Sequence, residues 1–395
     1  MQAKVVTVSV GVLLLLAGCP ATVDIDDDDV SGDDDTADDD DTGDDDTGDD
    51  DDTGTPPDDV PPSSDPPGGL LVEEVPLFVS IGFDDNYDSG LPGSGGTGGM
   101  TWAIDMCRER TNPDGSPVLV SFYNTTLNLE WSALLKHAWR TAYDDGHEIA
   151  NHTHNHPLGG DFSVDEWLDE IETCEDWLTA PYDPDETEPD PSTGVGIPLE
   201  EIVGFRTPYL DYNDATFEAL DELGYTYDCS IIEGFELDED GTTLTWPYTF
   251  DDPAGLWELP LHVFIVPPDE LCEDYGVPSG LRDRLHDVYP SFDPDDGKIL
   301  GMDYMFWVEY EMTGAEVEAT LLYSFDLRMQ GNRAPMMLGG HSAEYSSLYT
   351  AAPNATLEER QDAIEVFLDH ALSHPEVRVV PMIDIVDWMR DPTPL

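Results

Sequence analysis

Four short stretches of this chain hold side chains whose types could do chemistry together. Asp84 and Asp85 close the apolar run PLFVSIGF (76–83). His152, His154 and His156 crowd the segment NHTHNHP. Arg206 stands in GFRTPYL, and His341 in LGGHSAEY after another apolar run. Two imidazoles and one carboxylate make an open three-ligand set for zinc or a similar divalent metal, with room left for water. A second carboxylate beside such a set can take a proton from that water. Arg206 can orient a carboxylate through bidentate hydrogen bonds. His341 is a candidate acid, because an ordinary imidazole titrates near neutrality.

Taken singly, each signal has a plainer explanation. An Asp-Asp pair after a strand is commonly a turn or a helix cap, and a lone histidine is commonly a core or surface side chain. Spacing alone does not choose which of the three clustered histidines bind. What joins the four stretches is their place in the chain: the Asp pair, the His cluster and His341 each follow an apolar run. In parallel α/β sheets, sites assemble where strands end.

The elements that must hold these residues alternate. PLFVSIGF (76–83), VLVSFY (118–123) and HEIANH (147–152) read as strands by length and β-branched content. MTWAIDMCRER (100–110) reads as a helix, as do the segments 130–146, 163–178, 211–224 and 356–375. Ser163 with Glu166 predicts a capping box, and Gly146 and Gly224 predict helix stops. Strand–helix–strand repetition argues an α/β fold with a parallel sheet. Acidic and Pro-rich stretches near 181–197 and 267–298 are expected to be surface loops.

The 395 residues carry 88 acidic and 14 basic side chains, a formal net charge of -74. No ordinary nucleic-acid interface is compatible with that balance, nor is docking to anionic lipid. A partly salt-adapted surface or plain solubility would each explain the excess acid. Asp24 to Asp59 alone contribute 21 aspartates and no Lys or Arg. This repetitive Asp/Thr/Gly/Pro segment is expected to be an extended, disordered tether over residues 19–69. Its Asp clusters make Ca2+ a possible partner, although no EF-hand spacing is present. Before it, residues 5–17 form an apolar run too short to span a bilayer and of the length of a signal-peptide core. Leu16-Ala17-Gly18-Cys19 resembles a bacterial lipoprotein lipobox, which implies cleavage after residue 18 and lipidation of Cys19. Pro20 is not an inner-membrane retention residue, so the expected location is the outer membrane or cell surface, with the lipid anchor the sole membrane contact. Cys107, Cys174, Cys229 and Cys272 remain. In an oxidising compartment they allow two disulfides, with the pairing open.

Phe83-Asp84-Asp85, His152 to His156 as H-T-x-x-H, Arg206 to Tyr209 as R-T-P-Y and Leu338 to His341 as L-G-G-H resemble, in order, the motifs of polysaccharide deacetylases. These form carbohydrate esterase family 4, the NodB-homology domain. The resemblance spans nearly all of residues 76–390. GHEIANHTHNH, GFRTPYLDYNDATFEALDELGYTYDCSI, TWPYTFDDPAGLWELPL and IVDWMRDP look most like the chitin-deacetylase-like branch. It implies a distorted (β/α) barrel with an incomplete ring of strands over residues 70–395. It implies that Asp85, His152 and His156 hold a divalent metal, commonly Zn2+, and that Asp84 is the general base. His341 would be the acid for the leaving amine, Arg206 the partner of Asp84, and the Tyr209 backbone N–H an oxyanion donor. His154, lying between the two ligands, would face away.

The match has two departures. Gly82 stands where the family usually has Thr. The family's Asp-Trp pair, whose Asp supports the catalytic His, is not evident; Asp251, Asp252 and Trp257 are the nearest candidates. Trp257, with Tyr209, is also the expected substrate contact. The implied activity is removal of N-acetyl groups from an N-acetylglucosamine-type glycan, chitin-like or from the envelope. O-acetyl ester hydrolysis is a close variant. A non-catalytic carbohydrate-binding lipoprotein on the same fold and a calcium-dependent adhesion protein are the readings from other classes.

Overall fold

Eight consecutive buried residues, Leu77–Asp84, form the central strand β1. It shows no in–out alternation because a parallel strand is covered on both faces. The computed structural model describes residues 59–236 and 239–395. The lipobox, Cys19 and the Asp-rich tether up to residue 58 lie outside the described residues.

Beyond β1 the strands are β2 (Ser121–Asn124), β3 (Glu148–Asn151), β4 (Gly204–Phe205), β5 (Tyr227–Asp228) and β6 (Ile232–Glu233). Then come β7 (Tyr248–Thr249), β8 (Trp257–Glu258), β9 (Leu261–Ile265), β10 (Lys298–Leu300), β11 (Met336–His341) and β12 (Val377–Val379). The main sheet runs β11-β1-β2-β3-β4-β5-β8-β7, with β12 also paired to β1. All its pairings are parallel except β7 with β8. A second sheet runs β10-β9-β6, and just past β10 Met302 bridges to Gly339 of β11. The sheet curls as a half-barrel whose ring of strands stays incomplete, which is the expected distorted (β/α) barrel.

The helices are α1 (Gly99–Arg108), α2 (Ala133–Asp144), α3 (Val164–Thr179), α4 (Asp214–Leu223), α5 (Leu281–Val288), α6 (Gly314–Gln330), α7 (Leu357–Leu372) and α8 (Met382–Arg390). The expected helices are α1, α2, α3, α4 and α7. Local chemistry fixes their ends. Ser163 with Glu166, and Thr356 with Glu359, form reciprocal capping boxes at the starts of α3 and α7. Gly224 ends α4 at φ 77°, a left-handed conformation that glycine adopts without steric cost. Among the described residues no helix is long and apolar enough to cross a membrane.

Three expectations change. The stretches 181–197 and 267–298 are not simply surface loops. Lys136 Nζ meets Glu186 Oε1 at 2.8 Å with both side chains buried, and Val195 and Ile197 enter the core. The second stretch contains α5 and buries Leu285 and Phe292. Their acidic, Pro-rich composition hides apolar anchors spaced too widely for a periodic signal. The folded body also starts before residue 70. The Val60 N–H donates to Thr249 Oγ1 at 2.8 Å, and Ser63 O accepts from the Trp246 N–H at 2.8 Å. Finally, Cys107, Cys174, Cys229 and Cys272 are four free, buried thiols rather than two disulfides. Each packs in its own surroundings. Cys174 Sγ faces Asn124 O, and Cys229 Sγ faces the Tyr123 hydroxyl at 3.1 Å.

Candidate active site

The parallel register sets Asp84, the last residue of β1, directly beside His341, the last of β11. The chain then turns sharply: Asp85 and Asn86 have φ of 64° and 52°. The buried Asn86 side chain pins this turn, donating to Phe83 O at 2.7 Å and to Asn124 Oδ1 at 2.9 Å. Such left-handed residues are costly and persist where the surroundings fix them. After β3 a second turn follows, with Thr153 and His156 at φ 65° and 55°. Asn151 Oδ1 accepts the Thr153 N–H, and Thr153 Oγ1 accepts the His156 N–H.

These two turns bring Asp85, His152 and His156 together, with ligand atoms all within 4.8 Å of one another. Asp85 Oδ1 is 3.3 Å from His156 Nε2 and 3.9 Å from His152 Nε2. His152 Nδ1 donates to Arg206 O at 2.7 Å, which fixes the tautomer and leaves Nε2 as the lone-pair nitrogen. Burial, reinforced by the neighbouring His156 and partly offset by Asp85, pulls the His152 pKa down to about 3, so the ring is neutral. One carboxylate and two imidazole nitrogens suit a borderline divalent ion. His154 is not in the set. Its Nδ1 pairs with Thr126 Oγ1 at 3.0 Å and its ring stacks on Trp177.

Arg206 is fully buried, and its Nη1 reaches Asp84 Oδ1 at 2.7 Å. Its Nε donates to Cys229 O, and its guanidinium lies 4.3 Å from the centre of the Tyr123 ring. This crowding accounts for Gly82. A Cβ there would sit 2.8 Å from the Tyr123 ring and 3.0 Å from Nη1 of Arg206. Tyr209 has φ 59° and is 56% exposed, with its ring edge-on to His156 at 4.5 Å.

On the neighbouring strand β11, His341 Nδ1 pairs with Asp303 Oδ1 at 2.8 Å, and its backbone N–H donates to Asp303 Oδ2 at 2.7 Å. Asp303 is fully buried, whereas the His341 side chain is 24% exposed. Burial pulls the imidazole pKa down, but the Asp303 charge and hydrogen bond, with help from Glu344, raise it well above its ordinary value. Glu344 stands 4.0 Å behind, held by the Tyr349 hydroxyl. Burial and the Asp303 charge push its carboxyl up to about 8.

Asp303 corrects the expectation placed on Asp251, Asp252 and Trp257. Asp251 and Asp252 lie exposed in a turn, and Trp257 is 3% exposed inside the barrel core, where no sugar can reach it. The sequence carried one signal for Asp303: an acid followed by an aromatic, Asp303-Tyr304, just past the apolar run ILGM (299–302).

Residues 118–227 match the family model described as polysaccharide deacetylase. That span holds His152, His156, Arg206 and Tyr209; Asp84, Asp85 and His341 lie outside it. Chitin deacetylase 8 of Bombyx mori is 23% identical over 342 residues, covering 83% of this chain and 74% of that protein. A crystal structure from Mycobacterium smegmatis, described as a polysaccharide deacetylase, shares the fold at a TM-score of 0.51 and 18% identity. It covers 84% of this chain and 95% of that one. With the four motif stretches gathered at the strand ends of the expected barrel, the chain carries a polysaccharide deacetylase domain, matched over residues 118–227.

Proposed function

We propose that this protein is a divalent-metal-dependent N-deacetylase of N-acetylglucosamine-type glycans, with Zn2+ as its metal. The observation that carries this reading is the arrangement around the triad. A carboxylate fixed by a buried guanidinium, and beside it an imidazole held by a buried carboxylate, end the two neighbouring strands β1 and β11. Hydrolysis of an amide requires a polarised carbonyl, an activated water and an acid for the departing amine. A metal bound by Asp85, His152 and His156 supplies Lewis acidity to the carbonyl and to the water.

The protein's own groups do the rest. Asp84 takes the proton from the attacking water, and Arg206 holds its carboxylate aimed. The Tyr209 backbone N–H hydrogen-bonds the carbonyl oxygen as negative charge builds there. His341, charged through Asp303, gives its Nε2 proton to the nitrogen as the C–N bond breaks. Acetate and a free sugar amine result. Tyr209, exposed beside His156, is the contact to the sugar. The strongly acidic surface favours a neutral glycan over an acidic one.

The test uses the folded body without residues 1–58. Bound metal is quantified and acetate release from N-acetylglucosamine oligomers is measured. Wild type is expected to hold one metal and release acetate. Asp84→Asn should keep the metal and lose roughly 10²–10⁴-fold in rate. Asp85→Ala, His152→Ala and His156→Ala should lose both. Metal content unchanged in the ligand variants would overturn the ligand assignment. Metal without acetate from amides, but with acetate from O-acetyl sugars, would make the protein an esterase. Export and anchoring through Cys19 are proposed on the lipobox alone. Labelling of the full chain, but not of Cys19→Ala, with a radioactive fatty acid tests them.

A further inference from the structure

We infer that the three residues Asp228-Cys229-Ser230, at the end of β5, form a clamp that sets the positions of Arg206 and of the turn carrying the Tyr209 N–H. This rests on the deacetylase reading above and names positioning residues, since none of the three touches the triad.

The geometry is a chain of short contacts across a parallel strand pair. β4 and β5 lie in register, Phe205 opposite Asp228. The strands are two residues each, too short to hold the segments that follow by ladder bonds alone. Past the pair, the Cys229 N–H donates to Phe205 O at 3.1 Å, and Cys229 O accepts the Arg206 Nε–H at 3.2 Å. The Thr207 N–H donates to Ser230 Oγ at 2.8 Å. The Ser230 hydroxyl in turn donates to Asp228 Oδ1 at 2.8 Å, and the Ser230 N–H to Asp228 Oδ2 at 2.8 Å. One segment therefore grips the side chain of Arg206 and the backbone immediately after it.

What the clamp holds is costly to hold. Tyr209 and Leu210 sit at φ 59° and 56°, within three residues of Thr207. Every link is buried: Asp228, Cys229, Ser230, Arg206 and Thr207 are all at 0% exposure. A buried N–H whose acceptor is removed bears its full desolvation penalty, so the Thr207 amide would have to move. Behind the clamp, Asp228 lies opposite Glu258 on β8. Burial and the Asp228 charge push the Glu258 pKa well up, and burial raises that of Asp228 to about 6.

The experiment compares Ser230→Ala and Ser230→Thr with wild type in the same folded body. Ser230→Ala keeps the fold but deletes the acceptor of the Thr207 N–H. We expect kcat to fall about tenfold, in line with the sensitivity of catalysis to small misplacements. KM and metal content should hold. Hydrogen exchange at the Thr207 amide should speed up at least tenfold, and Ser230→Thr, which restores a hydroxyl, should recover both kcat and protection. Unchanged kcat and unchanged Thr207 exchange in Ser230→Ala would overturn the clamp while leaving the deacetylase reading intact. A loss of stability and substrate affinity together, not rescued by Ser230→Thr, would reduce the segment to general packing and also overturn it. If wild type releases no acetate, the functional reading fails, and the exchange measurement still decides whether Ser230 holds the turn.

Discussion

At the strand ends around the Asp85–His152–His156 triad, one group, the Asp84 carboxylate, is held by a guanidinium; another, the His341 imidazole, is held by a carboxylate. Both supports are fully buried, but they differ in kind. Arg206 keeps its proton at any accessible pH, so the pair it makes with Asp84 is fixed. Asp303 and Glu344 are themselves titratable, so the His341 side is a group of interacting acids whose charge depends on pH. The difference teaches where pH sensitivity resides: on the side that must give up a proton and regain it in each turnover.

The largest expected effect is on the fixed side. Arg206→Met leaves Asp84 buried without its counter-charge, costing about 3–5 kcal/mol of stability. It should also cost roughly 10²–10⁴-fold in acetate release. Denaturant unfolding and initial rates measure the two. Arg206→Lys should not rescue either, because a point charge cannot reach both Asp84 and Cys229 O. Full activity in that variant would break the comparison.

Next comes the titrating side. Asp303→Asn removes the interaction that raises the His341 pKa, so the acid form should persist over a narrower range. We expect kcat to drop about 10²-fold and the alkaline limb of the pH–rate profile to move to lower pH, with metal content unchanged. An alkaline limb that stays in place would show that another group is the acid.

Gly82→Ala probes the crowding around Arg206. Its new Cβ meets the Tyr123 ring and the guanidinium, and overpacking of this kind costs about 1–3 kcal/mol. Thermal unfolding should report that loss.

The smallest effect is expected at Glu344. Its pKa is raised from 4.5 to about 8, and that of His341 is raised above 6.5. Both groups hold their protons longer in the folded state than in the unfolded chain. Their contribution to stability is therefore complete at acid pH and is lost as pH rises through these ranges. The melting temperature should fall between about pH 5 and 8 for this reason. Glu344→Gln should flatten that slope while changing kcat only a few-fold at neutral pH. A slope unchanged by the substitution would show that Glu344 is ionised throughout.

Much of the molecule was legible from local pattern. The helix starts at Ser163 and Thr356 follow from capping residues three positions apart, and the stop at Gly224 from its freedom at positive φ. Buried β1 is legible because a covered parallel strand is apolar throughout. The four motif stretches were visible as sequence, and their resemblance to one family supplied their expected roles. Asp303 was hidden because it meets His341 across 38 residues, at the edge of a stretch whose acidic composition suggests a loop. Trp257 illustrates the opposite error: a tryptophan in a motif-like block is as well suited to a core as to a sugar, and burial alone separates the two.

The sequence by itself determined the class of fold, the acidity of the surface and the set of residues able to bind a metal and move protons. Those follow from composition, short-range hydrogen bonding and the intrinsic chemistry of each side chain. The tertiary structure decided which imidazoles meet Asp85 and which carboxylate stands behind His341. It also decided that the four cysteines stay apart and that Ser230 holds the turn after Arg206. These are contacts between residues brought together by strand order and register, and no local pattern encodes such distances.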